Sequence, residues 1–160
     1  MRLLCDALLL AAVGTAWLPA CEHAPWSPGT EVTAVSVDDG SQGVWESHVR
    51  EAVGRWADVL GPDCWEPYRV VPEGGMPVVL VDDSEWTHDE DAIGWWSGDM
   101  AEVRHRDGDR QWFPALMHEL GHSMGLGHAE GRGHVMSRSP ASLYPTAEDV
   151  RLAREALGCD

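Results

Sequence analysis

Residues 118–128 read HELGHSMGLGH, and their spacing restricts the local structure more than any other part of the chain. His118 and His122 are four residues apart, so a helix places both imidazoles on one face, one above the other. Gly125 can adopt the left-handed conformation that ends a helix sharply, and the chain after it can turn back. The sequence therefore predicts that His128 returns to the two helical histidines.

Three imidazoles brought together in this way are typical ligands of zinc. Two neutral histidines one helical turn apart can bind one ion at about 2.0–2.1 Å each, and His128 supplies a third ligand, which leaves one position open. Glu119 is offset by one residue from His118, so its carboxylate points beside the metal and can act as a general base. His134 could compete with His128 as the third ligand.

The segment at 118–128 resembles the extended zinc motif of the metzincins, and its residues are similar to those of matrixin-like bacterial members. Met136 extends the match, because metzincins carry a methionine in a 1,4-turn beneath the metal, the Met-turn. The resemblance implies an α+β, zincin-like fold with a mixed twisted sheet, an active-site helix, the Met-turn and a C-terminal helix. The resemblance covers residues 31–158, with the specific motifs confined to 118–136.

The resemblance also implies an activity. A metzincin is a zinc-dependent endopeptidase with one catalytic ion, in which Glu119 would deprotonate the attacking water and pass the proton to the departing amine. The alternative is a catalytically weak zinc-binding surface lipoprotein that binds peptides or an envelope partner through the same cleft. The presence of Glu119 favours the enzyme, whose partner is a protein or peptide substrate.

Hydrophobic periodicity and turn residues predict alternating strands and helices before and after the motif. Strands are expected at 31–37, 68–71 and 77–81, a hairpin at 92–98 and 100–105, and helices at 41–60, 111–124 and 146–157. Thr146 is the expected N-cap of the last helix, with Asp149 three residues later.

The first twenty residues are typical of a signal peptide, with Arg2 followed by a short apolar stretch. Cys21 follows Leu-Pro-Ala, a pattern similar to a bacterial lipoprotein signal, so we expect Cys21 to carry lipid. The alternative is ordinary cleavage after Ala20, which leaves Cys21 as a plain thiol. Residues 21–30 would then be a tether and 31–160 the catalytic domain, outside the cytoplasm. We expect a cell-envelope location, at the outer membrane in a Gram-negative source, or secretion.

Cysteine usage agrees with export. Removal of Cys5 with the signal and lipidation of Cys21 leave Cys64 and Cys159, which can pair in an oxidising compartment. Such a bond closes a long loop and contributes about 4 kcal/mol by the chain-entropy model. Two buried free thiols are the alternative.

Charge excludes one class of partner. Asp and Glu outnumber Lys and Arg by 27 to 11, which gives a formal net charge of −16. Nucleic-acid binding needs clustered cations, so we expect none. The 160 residues are enough for one globular domain, expected to be a monomer, with a membrane contact only through the lipid anchor.

The resemblance implies three substrate-binding candidates. Tyr144 follows Met136 by eight residues, where matrixin-like enzymes have a loop that walls a specificity pocket. Trp95 and Trp96 belong to an edge strand that would pair with an extended peptide. Each of these aromatic residues can equally be explained as packing.

Further metal sites are only weakly indicated. Matrixins hold a structural zinc through His and Asp residues of the strand region. His88, Asp91 and His105 match that ligand set only in part. A Ca²⁺ site is possible but unsupported, because its acidic stretch matches no known ligand spacing. The aspartates in question are Asp82, Asp83, Asp89 and Asp91.

Overall fold

The computed structural model describes residues 34–38, 44–65, 69–70, 76–106 and 110–159. Its elements are β1 (Ala34–Asp38), α1 (Val44–Leu60), α2 (Pro62–Trp65), β2 (Arg69–Val70), β3 (Met76–Asp82), β4 (Gly94–Trp96), β5 (Ala101–His105), α3 (Trp112–Ser123) and α4 (Ala147–Leu157). The predicted signal peptide, Cys21 and the tether lie outside the described residues. The predicted α+β class is confirmed.

The strands form one mixed sheet in the order β2-β1-β3-β5-β4. Four strands run parallel, and β4 pairs antiparallel with β5, with Trp95 opposite Glu102. The hairpin predicted over 92–98 and 100–105 is therefore confirmed, with a shorter paired region. Because β4 is the last strand in the order, it forms one edge of the sheet.

Helix α3 is fixed by its packing on α1 and the sheet. The Trp56 ring of α1 is fully buried, and its indole Nε1 donates to the carbonyl of Met117 in α3 at 3.1 Å. Leu120 of α3 and Val103 of β5 are also fully buried in the same core. The helix that carries the HExxH motif is thus held by neighbours on two layers.

The structure adds a helix that the sequence did not predict. Gly61 has a φ of 80°, which ends α1, and the chain enters a second helix at Pro62. Helix α2 is a single turn, too short for hydrophobic periodicity to reveal. It presents Cys64 to Cys159, and the two form the predicted disulfide with Cα atoms 5.4 Å apart across 95 residues of sequence.

Helix α4 begins as predicted. The Thr146 side chain accepts from the Asp149 N–H, and the Asp149 carboxylate accepts from the Thr146 N–H, which together make a capping box. Gly158 ends the helix with a φ of 70°. In the part of the chain that the structure describes, every helix is too short or too polar to cross a bilayer.

Candidate metal centre

The end of α3 turns the chain back toward its own histidines. Gly125 has a φ of 89°, and its N–H donates to the carbonyl of His122 at 2.9 Å. The Leu126 N–H donates to the carbonyl of Gly121 at 3.2 Å, so the helix ends in a Schellman motif. The predicted stop at Gly125 is confirmed, and His128 follows three residues later.

The three predicted histidines come together at this point. His118 and His122 are buried on α3, and His128 is partly buried. One ring nitrogen from each lies within 4.8 Å of the other two. Among the described residues, this is the one cluster of His, Cys, Asp or Glu able to hold a metal ion.

The protonation pattern of the rings fits a metal. Nδ1 of His118 donates to the carbonyl of Val135 at 2.7 Å, and Nδ1 of His122 donates to that of Leu126 at 2.7 Å. In the neutral rings, both Nε2 atoms then carry lone pairs that face each other at 3.0 Å. Two ligands of a tetrahedral zinc ion would be separated by about 3.3 Å. The donor set therefore fits a shared zinc ion.

Glu119 lies beside this cluster and is almost completely buried, with 4% of its surface exposed. Its Oε2 atom has no hydrogen-bond donor within the described residues. Burial raises the pKa of this carboxyl from an ordinary 4.5 to about 8. In the metal-free protein this carboxyl therefore binds a proton more tightly than an exposed glutamate does.

The predicted Met-turn lies directly under α3. The Ser137 N–H donates to the carbonyl of His134 at 3.3 Å, which closes a 1,4-turn around the fully buried Met136. A methyl group on Gly121 would lie closer than 3.0 Å to the Met136 sulfur. The close approach of the turn to α3 therefore requires a glycine at position 121.

Asp149 holds this turn from the other side. Its carboxylate is fully buried and accepts the N–H groups of Val135 at 3.0 Å and Met136 at 3.2 Å. The Val135 carbonyl is the acceptor for Nδ1 of His118. A chain of hydrogen bonds thus runs from the start of α4, through one peptide unit, to a metal-ligating ring.

A cleft of about 470 Å³ opens onto the histidines. Its lining comes from residues 91–94 of the edge strand and the turn before it, from α3, and from two loops at 132–133 and 138–141. His118, Glu119 and His128 all line it. The histidine cluster and the Glu119 carboxyl are therefore reached from one groove.

The sequence model of the matrixin peptidases matches residues 67–155, more than half of the chain. The chain belongs to the matrixin family. Its fold is also similar to the crystal structure of archaemetzincin from Methanopyrus kandleri, with a TM-score of 0.56 and 18% sequence identity over 78% of this chain and 94% of that one. No curated protein matches the chain in sequence. Family, fold and the three-histidine site identify a zinc metallopeptidase.

One residue of this matrixin site escaped the sequence analysis. Gly94, the first residue of the edge strand, faces Glu119 so closely that a methyl group there would lie within 3.0 Å of Oε1, Cδ and Cγ of the glutamate. Space rather than backbone conformation requires the glycine, because its φ is not positive. A single glycine in a strand signals a close approach, but not to which partner.

If Glu119 is the predicted general base, replacing Gly94 by Ala should lower kcat at least tenfold, because the added methyl group displaces the Glu119 carboxylate. Zinc content should stay unchanged, since no histidine moves. Steady-state kinetics and metal analysis test this, with Gly54→Ala as the control. Gly54 lies in α1 with nothing within 4 Å of an added methyl group. A normal kcat for Gly94→Ala would contradict the positioning role.

The three substrate-binding candidates do not line the cleft of the matrixin domain. Trp96 is 4% exposed and packs in the core, because strand alternation turns it inward. Trp95 stacks on His88 with ring centroids 4.5 Å apart. Tyr144 is 60% exposed and lies against the guanidinium of Arg55. Trp96 is thus a core residue, while roles for Trp95 and Tyr144 remain predictions.

The other metal candidates are engaged elsewhere. Nδ1 of His134 lies 2.9 Å from the Thr146 hydroxyl, so His128 and not His134 joins the helical histidines. Nε2 of His88 bonds Glu102 at 2.8 Å. Hydrogen bonds from Arg106 and also from Arg104 hold the pKa of Asp83 below its ordinary value. In the described ranges, no second cluster with three such ligands forms around His88, His105 or these aspartates.

Proposed function

We propose that this matrixin is a zinc-dependent endopeptidase in which Glu119 is the general base. The single observation that carries the proposal is the placement of the Glu119 carboxylate beside three convergent histidines in one cleft. A protein that only bound zinc would have no need for an unpaired buried carboxylate at that point, since burying one is costly.

His118, His122 and His128 would hold the zinc ion. Zinc bound there supplies a Lewis acid that polarises the scissile carbonyl and makes water a stronger nucleophile near neutral pH. Glu119 takes the proton from the attacking water and then delivers it to the departing amine. The carbonyls of Val135 and Leu126 keep the first two rings in the tautomer that leaves Nε2 unprotonated.

The edge strand supports cleavage within a chain. Strand β4 pairs with β5 on one side, and the described residues place no strand on its other side. An extended peptide can add to that free edge in antiparallel fashion and pass Gly94, where the cleft reaches Glu119. A peptide paired along this edge would extend past the cleft, as cleavage within a chain requires.

Metal removal and reloading test the proposal. We expect the purified protein to hold one zinc ion, to cut internal bonds of a peptide library, to stop after chelation and to recover when zinc is returned. Mass spectrometry of the products locates the cuts. A protein that holds zinc and leaves every peptide intact would instead support the peptide-binding alternative, and one without zinc would refute the metal centre.

We further propose that the mature chain begins with a lipid-modified Cys21 and is held at the cell envelope outside the cytoplasm. The support is the Leu-Pro-Ala-Cys pattern after an apolar stretch, together with the Cys64–Cys159 disulfide expected of an oxidising compartment. The mass of the mature N-terminal peptide decides between lipidation and simple cleavage after Ala20.

A further inference from the structure

The charge inside the cleft differs in sign from that of the whole protein. The chain has a formal net charge of −16, yet two of its few cationic residues, Arg132 and Arg138, line the groove beside the histidines. The acidic side chains in the lining are Asp91, which is exposed, and Glu119, which is buried. A bound zinc ion adds further positive charge, so the groove is a local cationic site on an acidic molecule.

Arg132 is placed there by its neighbours in the loop between His128 and His134. Gly131 and Gly133 have φ values of 94° and 96°, a conformation that side chains other than glycine rarely adopt. The two left-handed residues bend the loop on either side of Arg132. Arg132 is exposed and makes no ion pair or hydrogen bond with the described residues. Its guanidinium is therefore available to a ligand.

Arg138 belongs to a loop whose far end is clamped by α1. The Arg55 guanidinium donates from Nη1 to the carbonyl of Leu143 at 2.7 Å. It also lies 4.2 Å from the Tyr144 ring centroid and 4.7 Å from that of Phe113. Residues 138–141 lead directly into this clamp and form part of the cleft lining. The loop that carries Arg138 into the groove is thus held by α1 at its far end.

We propose that the cleft selects peptides that carry a carboxylate side chain close to the scissile bond, and that Arg132 and Arg138 recognise it. Guanidinium groups bind carboxylates through paired N–H donors, which glutamine and leucine side chains cannot satisfy equally. Asp91 at the same groove repels an acidic side chain, so the preference is confined to positions near the arginines. This inference rests on the proposed peptidase activity.

Matched peptides test the selection. In a cleavable peptide, each position flanking the cut is changed in turn to Glu, Gln or Leu. We expect kcat/KM to be about tenfold higher for Glu than for Gln at one or two positions, mostly through KM, since each exposed ion pair changes affinity about fivefold at most. The preference should shrink as ionic strength rises from about 0.05 M to about 0.5 M.

Variants identify the residues responsible. Arg132→Gln and Arg138→Gln should each lower kcat/KM for the Glu peptide three- to fivefold and leave the Leu peptide unchanged. Arg151→Gln is the matched control, because Arg151 is exposed on α4 and pairs with Glu148 and Glu155 outside the cleft. Equal rates for Glu and Gln peptides at every position would overturn the inference, as would a preference that survives both cleft substitutions.

A binding measurement separates this inference from the proposed function. Zinc-loaded Glu119→Gln protein and labelled peptides give affinities by fluorescence anisotropy without any cleavage. If the wild-type protein cuts nothing but the variant binds the Glu peptide more tightly than the Gln peptide, carboxylate selection stands and the peptidase proposal fails. If the wild-type protein cuts peptides and neither assay prefers Glu, the peptidase stands and the selection is wrong.

Discussion

Glu119→Gln is expected to reduce kcat for peptide cleavage by about 10²- to 10⁴-fold, while the protein still holds one zinc ion. Glutamine has nearly the same shape as glutamate but cannot accept a proton at neutral pH. The histidines keep their hydrogen bonds to Val135 and Leu126, so the metal site should be intact. Metal analysis and single-turnover kinetics on the same preparation measure both effects.

The same substitution should change how stability depends on pH in the metal-free protein. The pKa of Glu119 is about 8 in the folded chain and near its ordinary 4.5 when unfolded. Between these values the folded state binds the extra proton, so its stability is full below pH 4.5 and falls as pH rises toward 8. Relative to Glu119→Gln, the wild-type protein should lose roughly 3 kcal/mol between pH 5 and pH 8.

Denaturant titration of chelated samples at several pH values measures this difference, because all other titrating groups are common to both proteins. Glu85→Gln is the control, since Glu85 is exposed and should show no such divergence. Full proteolysis by Glu119→Gln would refute the general base. Parallel stability curves for wild type and variant would show that the carboxylate is solvated despite its position.

Asp149→Ala is expected to lower both the stability of the protein and its affinity for zinc. The substitution removes an acceptor shared by the N–H groups of Val135, Met136 and Thr146, of which the first two belong to the Met-turn. Leaving these donors without a partner and losing the cap of α4 should lower the free energy of unfolding by about 3–5 kcal/mol. Because the Val135 carbonyl orients His118, zinc affinity should also fall, by about tenfold or more.

Denaturant unfolding and competition with a chelator measure the two losses separately. Glu148→Ala is the matched control one residue earlier on the same helix, because its ion pair with Arg151 is exposed and screened by solvent, and its loss should change neither quantity much. If Asp149→Ala is too unstable to purify, Asp149→Asn keeps one acceptor oxygen and allows the zinc measurement. Wild-type stability and zinc affinity in both variants would show that the turn is held without α4.

The parts of this molecule that sequence predicted are those encoded by short-range spacing. The histidines four residues apart, the stop at Gly125 and the capping box at Thr146 each depend on contacts within a few residues, so their local pattern is sufficient. The helix α3 and the hairpin were likewise predicted to within a few residues, because alternation and periodicity report directly on burial.

Contacts between residues far apart in the sequence cannot be predicted from local spacing. Gly94 faces Glu119 across 25 positions in the printed sequence, and no local pattern indicates which side chain a strand glycine meets. For Trp96 the sequence leaves substrate contact and core packing equally open, and only the fold shows that this side chain is buried in the core. The cationic lining of the cleft also depends on two loops that only the tertiary fold brings together.

The disulfide gives the metal site a dependence on redox conditions. Cys159 follows α4 and is bonded to Cys64 in α2, while the first turn of the same helix holds the Met-turn through Asp149. One helix therefore joins a reducible crosslink to the ligand environment of His118. Material produced in a reducing cytosol would lack this crosslink, although Arg154 of α4 would still donate to the Leu60 carbonyl, so recombinant preparations for metal analysis are best made by export or by oxidative refolding.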